Sequence, residues 1–226
     1  SAYKKHNCTK LYDACLALSM NKRIETNDLS AGDKNMIMIT GANRGGKSTF
    51  LRSVGVAQLM MQSGMFVAAE SFDANLCNGV FTHFKREEDS TMESGKFDEE
   101  LKRMDDIANH LKPASLLLFN ESFAATKERE GSEVARQIIK ALLENGHKIF
   151  FVTHLYDLSN GYYKNNPGNI LFLRASDTNN FRLDEAAPQK TSNGVESCYK
   201  IFQQPEIWCT SQLQNKDEKN IYPRMV

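Results

Sequence analysis

The stretch Gly41-Ala42-Asn43-Arg44-Gly45-Gly46-Lys47-Ser48-Thr49 constrains this chain more than any other. From Gly41 to Ser48 it fits G-x-x-x-x-G-K-[ST] position by position. The apolar run Met36-Ile37-Met38-Ile39-Thr40 precedes it, and Phe50, Leu51, Val54, Ala57 and Met61 follow at helical spacing. A strand, a glycine loop and a helix are the context this motif needs. In that context the backbone N–H groups of the loop point inward at phosphate oxygens, and the positive end of the helix dipole reinforces them. Lys47 is expected to reach the β- and γ-phosphates, and the Ser48 hydroxyl to ligate Mg²⁺.

The rest of the chain supplies a matching scaffold. Apolar strands at 116–119 and 149–152 alternate with amphipathic patterns over Phe97 to Leu111 and Val134 to Leu143. Pro113 stops the first of these helices, and Asn145-Gly146 stops the second. Gly79 to Phe84, Ile170 to Leu173 and Phe181 to Leu183 read as further strands. The last two flank a turn at 177–180. Leu11, Ala14, Cys15, Leu16 and Leu18 suggest an early strand or a short helix. Lys85-Arg86-Glu87-Glu88-Asp89 reads as a solvated loop. This alternation predicts an α/β domain with a mostly parallel central sheet flanked by helices. We divide the chain into a lead-in segment (1–35), the phosphate-loop domain (36–209) and a polar C-terminal tail (210–226).

Composition excludes some partners and compartments. Of 226 residues, 41% are hydrophobic and 25% charged, which suits a globular protein with a sizeable core. Lys plus Arg equal Asp plus Glu at 28 each, so no bulk charge favours a nucleic-acid or membrane surface in this segment. No apolar run reaches the roughly 20 residues of a membrane span. Cys8, Cys15, Cys77, Cys198 and Cys209 are odd in number and form no C-x-x-C, which predicts reduced thiols in a cytoplasmic protein.

Phosphoryl transfer also needs support for the metal and a group that orients water. The strand end Asn120-Glu121 is predicted to supply both. Glu121 is the candidate general base, and Asn120 stands where an aspartate usually supports the Mg²⁺ shell. The strand at 116–119 is expected to lie beside the strand that precedes the phosphate loop. Thr153-His154 ends a second buried strand at the same sheet edge, so His154 is a candidate sensor of the γ-phosphate. Ser94-Gly95-Lys96 opens a helix, and a helix N-terminus attracts anions. Its expected ligand is the γ-phosphate held by a second subunit. Ordinary N-capping is the alternative, since Ser90 and Glu93 form a capping-box pattern. Arg23 and Ile24 are candidates for the adenine pocket.

Taken together, these residues resemble the ATP-binding-cassette class of P-loop NTPases. Within it they resemble the MutS family of DNA mismatch repair ATPases, whose loop reads T-G-P-N-M-G-G-K-S-T against Thr40 to Thr49 here. Phe66-Val67-Ala68-Ala69 is similar to the family's Y-V-P-A, Asn120 to Thr126 to its D-E-x-x-x-G-T, and Thr153 to Leu158 to its T-H-x-x-x-L. The resemblance covers roughly residues 25 to 205. It implies ATP and Mg²⁺ as ligands, ATP hydrolysis and an ATP-dependent homodimer. It also implies DNA contact through clamp and lever domains upstream. The chain has no room for those domains, so it is expected to be the ATPase domain of a longer, divergent MutS-like protein. Ala42, Arg44, Asn120 and Ala125 depart from the family pattern, as does Glu93 to Phe97 in the signature segment. Two alternatives stay open: a nucleotide-binding scaffold with lost or slow hydrolysis, favoured by Asn120, and a transporter or chromosome-maintenance cassette.

Overall fold

In the computed structural model, two sets of strands divide the work of holding the chain together. The described residues are 5–85, 95–165, 168–176 and 181–190. They all fall in the first of two units, 1–191 and 192–226. Ser94 lies outside the described residues, as do Ser90, Glu93, the charge run from Arg86, the turn at 177–180, Cys198, Cys209 and the tail at 210–226.

The elements run β1 (His6–Leu11), α1 (Ala14–Met20), β2 (Asn27–Ser30), β3 (Met36–Gly41), α2 (Lys47–Gln62), β4 (Ser71–Ala74), β5 (Val80–Phe84), α3 (Lys96–His110), β6 (Leu116–Asn120), α4 (Glu128–Glu144), β7 (Lys148–Val152), α5 (Tyr156–Lys164), β8 (Ile170–Ala175) and β9 (Leu183–Glu185). The main sheet has the order β5-β6-β7-β3-β8-β9. Its first five strands are parallel, and β9 pairs antiparallel at the edge. The fold is therefore α/β, with a mixed, mostly parallel six-stranded sheet flanked by helices.

Alternation along the strands separates two cores, because successive side chains point to opposite faces. Ile37, Ile39, Leu116, Leu118, Phe150 and Val152 pack with Phe50, Leu51, Val54 and Ala57 of α2. Met36, Met38, Leu117, Phe119, Ile149 and Phe151 pack with Met104 of α3, Ala135 and Ile139 of α4, and Leu158 of α5. Each fully buried Val, Leu, Ile, Phe or Met side chain among them contributes about 1.5–3 kcal/mol.

One expectation is corrected. Strand β6 does not adjoin β3; β7 lies between them. The reason is that β6 and β7 are both short apolar runs able to be covered on two faces, so composition does not choose between them. The pairing does: β7 forms parallel ladders with β3 on one side and with β6 on the other.

Residues 6–30 do more than lead into β3. Strand β1 pairs antiparallel with β2 and with β4, forming a second, three-stranded sheet. Both early alternatives occur: Leu11 closes β1, and Ala14 to Met20 form α1. Asp13 caps α1 by accepting from the Leu16 N–H at 2.9 Å. The last strand begins at Leu183, two residues later than the apolar pattern suggested. Asn27 explains the shift: its side chain donates to Phe181 O and accepts from the Leu183 N–H, so Phe181 turns out of the sheet. Among the described residues no helix is long and apolar enough to cross a membrane.

Candidate nucleotide site

The loop between β3 and α2 is shaped by positions where only glycine fits. Gly41 has φ +111°, and a Cβ there would sit 2.7 Å from Ala175 N of β8. Gly46 has φ +85° and caps α2 without any side-chain hydrogen bond. The first-turn N–H groups of α2 therefore have neither intrahelical partners nor a side-chain cap. They stand at the positive end of a 16-residue helix. Arg44, at the loop tip, also adopts a left-handed backbone with φ 61°.

Lys47 is only 4% exposed. Its Nζ donates to Gly41 O at 2.9 Å and to Ala42 O at 2.7 Å, so the ammonium closes the loop on itself. Burial pulls its pKa down and the Glu121 carboxylate opposes that. Its partners are neutral carbonyls, which an anion of higher charge displaces readily.

Strands β6 and β7 deliver the opposing groups. Ser48 Oγ donates to Asn120 Oδ1 at 2.9 Å. Glu121 follows with φ 55°, and its N–H bonds Val152 O at 2.9 Å, one step beyond the β6–β7 ladder. Its Oε1 lies 2.7 Å from His154 Nε2, each side chain a little under a third exposed. That bond is the main cause of a lowered Glu121 pKa, with burial opposing and Lys47 assisting. Thr153 Oγ1 accepts from the Leu155 N–H and holds the turn that aims His154 at Glu121. Glu128 of α4 then caps α5 by accepting from the Tyr156 and Asp157 N–H groups.

Asn43, Arg44, Gly45, Gly46, Lys47, Ser48, Thr49 and Glu121 line one cavity of about 520 Å³. Asn120 and His154 reach it through their bonds to Ser48 and Glu121. Arg23 and Ile24 line the same cavity. Sequence reasoning missed Tyr12, Leu16, Met20 and Phe181 in its wall. No sequence signal marked them, because it is the fold that leaves the apolar helix α1 with no residue buried in the core. Gly95 caps α3 and is not part of this cavity, so one chain does not bring it to the phosphate loop.

Oxygen donors at Ser48 and Asn120 suit Mg²⁺, which prefers oxygen ligands and retains several waters. Among the described residues no group of three His, Cys, Asp or Glu side chains is placed to hold a metal ion.

Residues 37–196 match the family described as MutS domain V. The chain is similar to Endonuclease MutS2 of Geobacillus thermodenitrificans, 30% identical over 166 residues, covering 73% of this chain and 21% of that protein. It is also similar to DNA mismatch repair protein MutS of Clostridium beijerinckii, 32% identical over 133 residues, covering 58% of this chain and 14% of that protein. DNA mismatch repair protein MutS of Leptospira interrogans is 33% identical over 133 residues, with 58% and 16% covered. The chain thus spans at most about a fifth of the length of these relatives.

Proposed function

The chain belongs to the MutS family through its domain V, and on that premise we propose that it is the ATP-binding and ATP-hydrolysing module of a MutS-like DNA-processing protein. One observation carries the reading: Lys47, Ser48 and Glu121 line a single cavity with the phosphate loop. The fold is then that of a P-loop NTPase of the ATP-binding-cassette type. Family membership favours this over transporter and chromosome-maintenance cassettes.

In this reading the loop N–H groups of 43–48 hold the β- and γ-phosphates of ATP, and Lys47 exchanges its carbonyl partners for phosphate oxygens. The adenine end lies toward Arg23 and Ile24. Ser48 and Asn120 would hold Mg²⁺, which supplies neutralisation of charge on the phosphates. Glu121 orients a water and takes its proton, and His154 holds the Glu121 carboxylate in place. Gly95, with its neighbour Ser94, serves the nucleotide of a second copy, making the active assembly an ATP-dependent homodimer. DNA is contacted through other parts of the parent protein, since this segment carries zero net charge.

Glu121→Gln tests the reading. Turnover should fall about 100-fold or more, the scale of a lost general base. ATP affinity should persist, and ATP should raise the dimer fraction in sedimentation. Wild-type turnover by Glu121→Gln overturns the assignment. A nucleotide-binding scaffold without hydrolysis is the second reading, favoured by the uncharged Asn120.

A further inference from the structure

The residues that follow Glu121 occupy a backbone that does not hold itself. Glu121 has φ 55° and Phe123 has φ 63°, and neither is glycine. Such conformations persist only where surrounding groups over-determine them. The Glu121 N–H bond to Val152 O supplies part of that constraint, and a histidine on a different strand supplies another part.

His83 of β5 is 1% exposed. Its Nδ1 lies 2.7 Å from Ser122 Oγ, and its Nε2 lies 3.1 Å from the backbone oxygen of Glu100 in α3. Its ring stacks on Phe123, with centroids 5.4 Å apart and planes 16° apart. Glu100 O only accepts, so Nε2 carries the proton. Ser122 Oγ also donates to the His83 backbone oxygen at 2.7 Å, so Ser122 meets both the ring and the main chain of His83. A single imidazole thus joins α3 to the two residues after Glu121.

Helix α3 faces the same loop a second time through the Glu100 side chain. That carboxyl is buried, and its Oε2 has no hydrogen-bond partner among the described residues. Burial pushes the Glu100 carboxyl above its usual pKa, and the amides of Ala125 and Phe123 only partly oppose that. Glu100 stands five residues from Gly95, little more than one helical turn along α3.

We infer that His83 is a positioning residue that bridges α3 to the Glu121 loop, so that the placement of α3 sets the aim of the Glu121 carboxylate. This rests on the hydrolytic reading above. It assigns His83 no contact with nucleotide.

The test uses two substitutions that each keep half of the bridge. Asn places an amide where Nδ1 stands, and Gln places one where Nε2 stands. His83→Asn and His83→Gln should bind ATP within about twofold of wild type, because the phosphate loop is untouched. Both should lower kcat about tenfold or more with little change in KM, as misplacement of a reacting group does. Both should also raise deuterium exchange across 121–126 without any nucleotide. Ser122→Ala removes the bonds to both the ring and the backbone oxygen of His83 from the loop side, and should reproduce these effects if a position-83 variant does not fold. Unchanged kcat, unchanged exchange, or an equal loss of ATP affinity overturns the bridge. Should the wild-type chain bind ATP without turnover, the hydrolytic reading falls and the exchange measurement alone decides whether the bridge exists.

Discussion

Ser48 Oγ and Asn120 Oδ1 meet at 2.9 Å, joining the first turn of α2 to the last residue of β6. The two residues are 72 positions apart in the chain, yet their oxygens converge beside the phosphate loop. The arrangement keeps the acceptor geometry of a carboxylate at position 120 but not its charge. Asn120→Asp should therefore lower the Mg²⁺ concentration for half-maximal turnover, by about tenfold, or 1.4 kcal/mol. Titrating Mg²⁺ in a steady-state ATPase assay checks this. An unchanged midpoint separates Asn120 from the metal.

Lys47 offers a second prediction. Its ammonium bonds the Gly41 and Ala42 carbonyls. In the proposed reading it exchanges them for phosphate oxygens of ATP. Bonds to charged groups are worth about 1.5–3 kcal/mol, so Lys47→Ala should weaken ATP binding roughly 10- to 150-fold. Calorimetric titration reads the change directly. Affinity equal to wild type removes Lys47 from the site.

The Glu121–His154 bond gives a pH dependence with a definite sign. The bond holds the Glu121 pKa below its ordinary 4.5 in the folded chain. A depressed folded pKa contributes stability that is present above 4.5 and is lost as pH falls through the lower folded value. His154→Ala removes the main cause of the depression. Its acid limb of turnover should move to higher pH, and its melting temperature should depend less steeply on pH on the acid side. Superimposable acid limbs in a pH–rate profile contradict the proposed pairing.

Gly131 of α4 makes a prediction about the loop rather than the cavity. Glycine to alanine inside a helix ordinarily gains about 1 kcal/mol. Here an added Cβ would stand 2.2 Å from Phe123 O, a backbone atom with nowhere to retreat. Overpacking of this kind costs about 1–3 kcal/mol. Gly131→Ala should therefore destabilise the chain in thermal unfolding and lower turnover while leaving ATP binding in place. A more stable variant with full activity shows that the loop yields easily.

Much of this molecule is legible in local patterns. The phosphate loop is read from its own residues, because glycine, lysine and serine at that spacing have few other uses. The alternation of apolar strands and amphipathic helices announces the α/β class, since the periods of strand and helix differ. The ends of β6 and β7 mark Asn120, Glu121 and His154, because parallel strands present their C-terminal ends at one edge.

What only the tertiary structure decides is which elements become neighbours. Every buried strand is apolar whichever order the sheet takes, so nothing in the strand at 116–119 says that β7 separates it from β3. The same holds for α1. Its apolar residues read as an early strand or a short helix, and only its docking beside the phosphate loop turns Leu16 and Met20 into cavity wall. His83 reads as an ordinary strand residue until β5 and α3 close on the loop after Glu121. Local periodicity sets the kind of each element, while pairing and burial across long stretches of chain set its company.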